Sequence, residues 1–223
     1  LSGLEERIAN TASGAITSIQ AVYVPADDFT DPAAVHAFSH LSASLVLSRK
    51  RASEGLFPAV DPLQSSSKMA TPNIVGERHY QLAQQIRRTL AQYAELRDII
   101  AMLGLEQLSP EDRKTVARAR RLERFLTQPF FTTEQFTGLT GKLVPLADAL
   151  DGCERILADE FKDWPESALY MIGPISEAKT KGTASKDAPG GKAKPAAPDT
   201  GQKPATTRTE PAKASPAGSG HAS

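Results

Sequence analysis

One cysteine, Cys153, stands alone in a chain of 223 residues. That excludes an internal disulfide framework and a cysteine-rich zinc site, and it fits a reducing compartment. Surplus charge is also missing, since 26 Lys and Arg balance 26 Asp and Glu. Electrostatics therefore gives no general argument for a nucleic-acid or membrane partner. No apolar run approaches the roughly 18 residues that cross a bilayer, and no charged-then-apolar leader opens the sequence. A soluble or peripherally bound product is predicted. Also absent between Leu1 and Ser223 is any G-x-x-x-x-G-K-[ST] loop, or a strand ending in the magnesium-ligating aspartate that follows such a loop. The parts that phosphoryl transfer requires are thus not in this sequence. No methionine precedes Met69, so the sequence reads as the C-terminal fragment of a longer chain.

Large apolar side chains disappear from Lys179 onward. The stretch to Ser223 is mostly Ala, Pro, Gly, Lys, Thr and Ser with no aromatic residue, and it cannot bury enough surface to offset its ordering entropy. It reads as a disordered tail, solvated rather than docked on an acidic surface.

What is present divides into two regimes. Ile16–Val24, ITSIQAVYV, is β-branched and nearly continuously apolar, as a strand buried on both faces is. It stops at PADDFTDP, whose prolines and aspartates supply loop and helix-start chemistry. Ala33–His40 reads as a short helix, Ala43–Leu47 as a second buried strand, and Gly55–Met69 as a structured loop. From Gly76 the period becomes helical, with Ala83, Ile86, Leu90, Tyr93, Ile100 and Leu103 on one stripe and Arg87, Arg88, Arg97 and Asp98 off it. Gly104 is placed for a left-handed cap. Ser109-Pro110-Glu111-Asp112 is a helix start: a serine N-cap, proline in the first turn and acids at the positive end. Val116, Ala119, Leu122 and Phe125 or Leu126 are its buried side. Leu146–Phe161 and Glu166–Ile172 are two further helical segments.

Several smaller signals are weighed against plainer readings. His36 and His40 have metal-pair spacing on a helix but no third ligand at a recognisable distance, so no zinc site is assigned. Ser65-x-x-Lys68 lacks the companion motifs of acyl-transfer enzymes and is read as chance. Asp27, Asp28 and Asp31 lack the turn glycine and spacing of a calcium loop and are read as helix capping. Arg113, Lys114, Arg118, Arg120, Arg121 and Arg124 form a basic run interleaved with acids and without a stacking platform. It is read as a solvated or subunit-facing helix, not a nucleic-acid one.

Long motifs then point to a family. ITSIQAVYVPADDFTDPA, LVLSR, GLFPAVDP, DIIAMLG, VARARRLERFLTQPFF and ALYMIG occur in order from about Ser2 to Ala178. Together they resemble the C-terminal part of the catalytic beta subunit of F-type rotary ATP synthases. The resemblance implies an α/β fold class: the C-terminal portion of a P-loop nucleotide-binding domain over 1–75, an α-helical bundle over 76–178, and the tail over 179–223. It also implies a function, ATP synthesis or hydrolysis coupled to ion flow in a complex, with the fragment alone inactive. ATP or ADP is the implied ligand, with Mg2+ held by residues upstream. Implied partners are alpha subunits in an alternating hexamer, the gamma central stalk and, indirectly, a membrane ion-translocating sector. The implied location is peripheral, on the cytoplasmic face of the bacterial inner membrane.

Carried over by motif, the adenine-pocket positions are Phe57, Phe130 and Phe136, with Thr133 at a small pocket position and Tyr23 in a supporting role at the phosphate end. Phe57 stands where the family usually has tyrosine, which keeps the stacking face and loses a hydroxyl. The stalk-contacting acidic loop of the family corresponds to Glu106, Gln107, Leu108, Ser109, Pro110, Glu111 and Asp112. Glutamine and proline replace two carboxylates there, a departure that resembles an alternative branch of bacterial F-type ATPases. The competing expectation is a non-catalytic helical interaction module derived from that subunit, in which the three phenylalanines only plug a domain interface.

Overall fold

A computed structural model describes residues 2–24 and 30–178. The elements run α1 Ser2–Glu5, α2 Pro32–His40, β1 Ala43–Ser44, α3 Arg49–Ser53, β2 Ser66–Ser67, α4 Pro72–Val75, α5 Glu77–Leu103, α6 Pro110–Phe125, α7 Glu134–Thr137 and α8 Leu146–Leu157, with 3-10 turns between them. No helix among the described residues is long and apolar enough to cross a membrane.

The core lies in the second half. Helix α6 packs against α5, α8 and the 3-10 turn Glu166–Leu169. Its start follows the expected chemistry: the Ser109 hydroxyl accepts from the Asp112 amide at 3.1 Å, and Pro110 occupies the first turn, where its missing N–H is harmless. Val116, Ala119, Leu122 and Phe125 are all buried on one side of it, as the period requires. Leu122, Ile156, Leu169 and Ile172 are the largest fully buried side chains, and they share one cluster with Leu82, Phe125, Cys153 and Phe161.

Several expectations need correction. Ile16–Val24 is not a strand here, and Ile19 is 96% exposed. A parallel-sheet strand exists only with neighbours to complete its ladder, and the described residues contain a single two-stranded antiparallel sheet, β1 with β2. Ala43–Leu47 shrinks for the same reason to β1 plus a bridge from Leu47 to Val60, and only Val46 of its three large apolar residues is buried. On α5 the buried positions are Leu82 and Leu90, while Leu103 is exposed. Gly104 ends α5 at φ 83° and ψ 165°, an extended positive-φ conformation reserved for glycine, not the expected left-handed cap. The segment from Leu146 leaves the helix at Leu157, where Asp159 takes φ 62°, and Glu166–Ile172 is helical only over its 3-10 turn to Leu169. Asp27 and Asp28, and the tail expected over 179–223, lie outside the described residues.

Candidate functional site

The loop between α3 and β2 and the segment after α6 meet at one place. The Gln128 amide donates to the Phe57 carbonyl at 2.9 Å, which brings two sequence-distant segments edge to edge. Beside this link is an apolar cavity of about 100 Å³ lined by Phe57, Phe130 and Thr133. Gln128, Pro129, Thr137, Leu139 and Met171 complete its wall. Phe57 is 42% exposed, so part of it is open to solvent. The cavity is smaller than the ~300 Å³ at which whole-ligand pockets begin. It can take only part of a ligand, with the remainder extending outward.

Thr127 holds the far wall. It is a buried polar residue whose hydroxyl donates to the Arg124 carbonyl at 2.5 Å and accepts the Met171 amide at 3.1 Å. Met171 sits at φ 53°, a costly conformation for a residue with a Cβ, and that hydrogen bond helps to keep it there. Thr133 caps the approach from the other side, its hydroxyl donating to the Phe130 carbonyl at 3.1 Å.

Two of the expected pocket residues are elsewhere. Phe136, on the short α7, is 81% exposed and does not line the cavity, and Tyr23 is 80% exposed on the irregular segment before residue 25. Gln128, Pro129, Thr137 and Met171 fall within the family-like segments without a role read from them. Leu139 had no signal in sequence, because nothing local places it against Phe57.

The loop expected to touch the stalk forms the tip of the bundle. Leu105–Gln107 is a 3-10 turn, and all of Glu106, Gln107, Ser109, Pro110 and Glu111 face outward with Asp112 half-buried. Leu108 is turned inward and buried, with its carbonyl accepting Arg113 Nε at 3.0 Å. Met102, Leu103 and Leu105 stand exposed beside the loop, so the tip is apolar as well as acidic.

Arg113 and Lys114 of the α6 basic run are exposed, as in a solvated or subunit-facing helix, whereas Arg118, Arg121 and Arg124 are half-buried and bonded within the fold. Arg118 pairs with Asp159 at 2.5 Å. Arg121 donates to the carbonyls of Phe161, Lys162 and Trp164, and Arg124 stacks 5.2 Å from the Tyr170 ring centre. The Arg118 guanidinium holds the Asp159 carboxyl below its usual range, through its hydrogen bond first and its charge second. On the other side of α6, Arg51 meets Glu123 at 3.1 Å and Arg97 meets Glu54 at 2.6 Å. Burial pushes the Glu123 carboxyl up, outweighing the downward pull of Arg51 and Arg97.

Other candidates resolve plainly. The Ser65 hydroxyl donates to the Asp61 carbonyl at 2.6 Å and accepts the Val46 amide at 3.0 Å, so it serves the turn. His36 and His40 meet edge to face with ring centres 5.0 Å apart. Among the described residues no group of three or more His, Cys, Asp or Glu could hold a metal ion, so no site for Mg2+ is assigned to them.

Comparisons with known proteins converge. Residues 1–67 match the family model for the nucleotide-binding domain of the ATP synthase alpha/beta family, and residues 68–164 match the C-terminal domain of V and A type ATP synthase. The chain is 80% identical to ATP synthase subunit beta 2 of Albidiferax ferrireducens over 97% of its own length and 39% of that protein. It is 85% identical to ATP synthase subunit beta 2 of Polaromonas naphthalenivorans, over 84% of this chain and 40% of that one. It thus spans about two fifths of the length of these relatives. Among solved structures, an ATP synthase subunit, NeqB, from Nanoarcheaum equitans superposes with a TM-score of 0.58 at 25% identity, over 69% of this chain and 37% of that one. The ATPase EscN of a type III secretion system shares the fold, with a TM-score of 0.57 at 23% identity over 70% of this chain and 36% of that one. On sequence identity, paired family matches and fold together, the chain belongs to the ATP synthase alpha/beta family, alongside its beta subunits.

Proposed function

We propose that this chain is the adenine-binding and stalk-contacting part of a catalytic beta subunit in a rotary ATP synthase. The observation that carries the reading is the apolar cavity between Phe57 and Phe130, closed by the Gln128–Phe57 backbone link. A purine ring offers a flat polarisable face, and stacking on an aromatic contributes on the order of 1–3 kcal/mol per base. Phe57 and Phe130 supply such faces, and the small cavity matches the base while ribose and phosphates extend outward. Phe136 and Tyr23, which lie outside the cavity wall, keep the adenine and phosphate-end roles that the family motifs imply.

Phosphate cradling, the magnesium ligand and the water-orienting carboxylate belong to the remainder of the subunit, since this sequence has no phosphate loop. In the assembly, residues 1–75 close the nucleotide-binding domain and 76–178 form the bundle whose tip meets the central stalk. The exposed Met102, Leu103 and Leu105 beside Glu106–Asp112 support a contact made by shape and apolar surface, with charge in a lesser part. Alpha subunits, the gamma stalk and, through them, a membrane ion-translocating sector are the partners. The location is peripheral, at the cytoplasmic face of the bacterial inner membrane.

The test is nucleotide binding by the full-length subunit in its assembled complex. Phe57→Ala should weaken ATP or ADP affinity by on the order of tenfold, the equivalent of about 1.4 kcal/mol. Phe136→Ala should weaken it less, with the hexamer still formed. Unchanged affinity in Phe57→Ala would remove this cavity from the nucleotide site and favour a helical interaction module.

A further inference from the structure

Just upstream of Phe57, Arg51 and Glu54 are each paired with an opposite charge on a long helix. Arg51, on the five-residue α3, meets Glu123 of α6 at 3.1 Å, with the two side chains only 16% and 12% exposed. Glu54, one residue past that helix, meets Arg97 of α5 at 2.6 Å. Glu54, Arg97 and Glu123 line one cavity, so the two pairs form one cluster. None of the four lines the apolar cavity.

The path from this cluster to Phe57 is short and tethered at each step. Gly55 follows at φ 75°, a turn that a side chain would strain, and its carbonyl accepts the Tyr170 hydroxyl at 2.7 Å. A Cβ at Gly55 would stand 3.4 Å from that same hydroxyl. Leu56 is buried and its amide donates back to the Arg51 carbonyl at 3.0 Å. Phe57 then meets the Gln128 amide. A helix as short as α3 has little stability of its own, so its attitude is set by what it is tied to. Backbone bonds fix the spacing of residues 54–57, and the ion pairs tie that segment to α5 and α6.

We propose that the Arg51–Glu123 and Glu54–Arg97 pairs are positioning residues for the aromatic ring of Phe57, holding it in register with Phe130 so that movement of the helical bundle is passed to the base-binding face. This rests on the reading of Phe57 as a stacking surface. The buried Arg51–Glu123 pair suits the role, because a lone partner left behind is costly.

The experiment measures KM and kcat for ATP in the assembled complex carrying Glu123→Gln, Arg51→Glu, Glu123→Arg, the Arg51→Glu/Glu123→Arg exchange, Glu54→Gln, and Phe57→Ala as reference. Glu123→Gln, nearly isosteric, should raise KM on the order of fivefold with kcat changed by less than about twofold. The exchange variant should bring KM back toward the unmodified value while each single reversal raises it. Glu54→Gln, at the more exposed pair, should act in the same direction more weakly, and it remains readable if the reversals fail to assemble. An unchanged KM in Glu123→Gln, or an exchange that restores nothing, overturns the positioning role when Phe57→Ala still raises KM. If Phe57→Ala itself leaves KM unchanged, the base-pocket reading has failed instead.

Discussion

Gly152 lies on α8 where the helix faces Phe125 of α6, and substituting it with alanine sets two known effects against each other. In an exposed helix Gly→Ala gains about 1 kcal/mol, because alanine has less backbone freedom to lose. Here a Cβ would stand 2.1 Å from Phe125 Cζ and 2.5 Å from Cε1. Ordinary carbon contacts lie at roughly 3.5–4.0 Å, so the end of the ring must retreat by about 1.5 Å. It has nowhere to go, since Phe125 is buried in one cluster with Leu122, Cys153 and Ile156. Overpacking of that kind costs about 1–3 kcal/mol, and a collision this close belongs near the upper end. The clash exceeds the propensity gain, and Gly152→Ala should lower unfolding stability by about 1–2 kcal/mol. Urea unfolding of the purified subunit, followed by circular dichroism, measures it through the transition midpoint. In a Phe125→Leu background the same substitution should cost much less, because the colliding ring atoms are gone. A Gly152→Ala protein as stable as the original, or more so, would refute this packing of α8 on α6.

Three further outcomes follow from the same structure. Because Arg118 lowers the pKa of Asp159, that pair's stabilisation is fully present above the unfolded carboxyl value near 3.8 and is lost as pH falls through the lower folded value. Both side chains are about a third exposed, so the effect is modest, about 0.5–1 kcal/mol. Arg118→Met should flatten the acid limb of a stability–pH curve, and an unchanged limb would show the pair to be inert. Burial pushes the Cys153 thiol up to about 12, so native protein should resist iodoacetamide at neutral pH and label on unfolding. Labelling at the rate of a free thiol would contradict the burial. Thr127→Val removes the acceptor of the Met171 amide inside the fold and should cost about 1–3 kcal/mol, with weakened nucleotide affinity as the wall at Met171 relaxes. Retained affinity would separate that wall from the binding site.

The local chemistry of α6 was readable from the chain alone. A serine cap, a first-turn proline and four apolar residues at helical spacing are all short-range instructions, and each appears where expected. Ile16–Val24 shows the opposite case, since its strand-like composition is meaningless without partner strands, and among the described residues it has none. Motif order was enough to indicate the family, and it nominated Phe57 and Phe130, which both line the cavity. Only the tertiary structure set those two beside Met171 and Thr137 and left Phe136 outside the cavity. It also decided the fate of Arg118, Arg121 and Arg124 on α6, which sequence leaves in a charged run and folding sets against Asp159, three carbonyls and the Tyr170 ring. The physical reason is range. Caps and periodicity act within a turn or two of helix, whereas an ion pair or an aromatic wall depends on which distant segment the packing delivers.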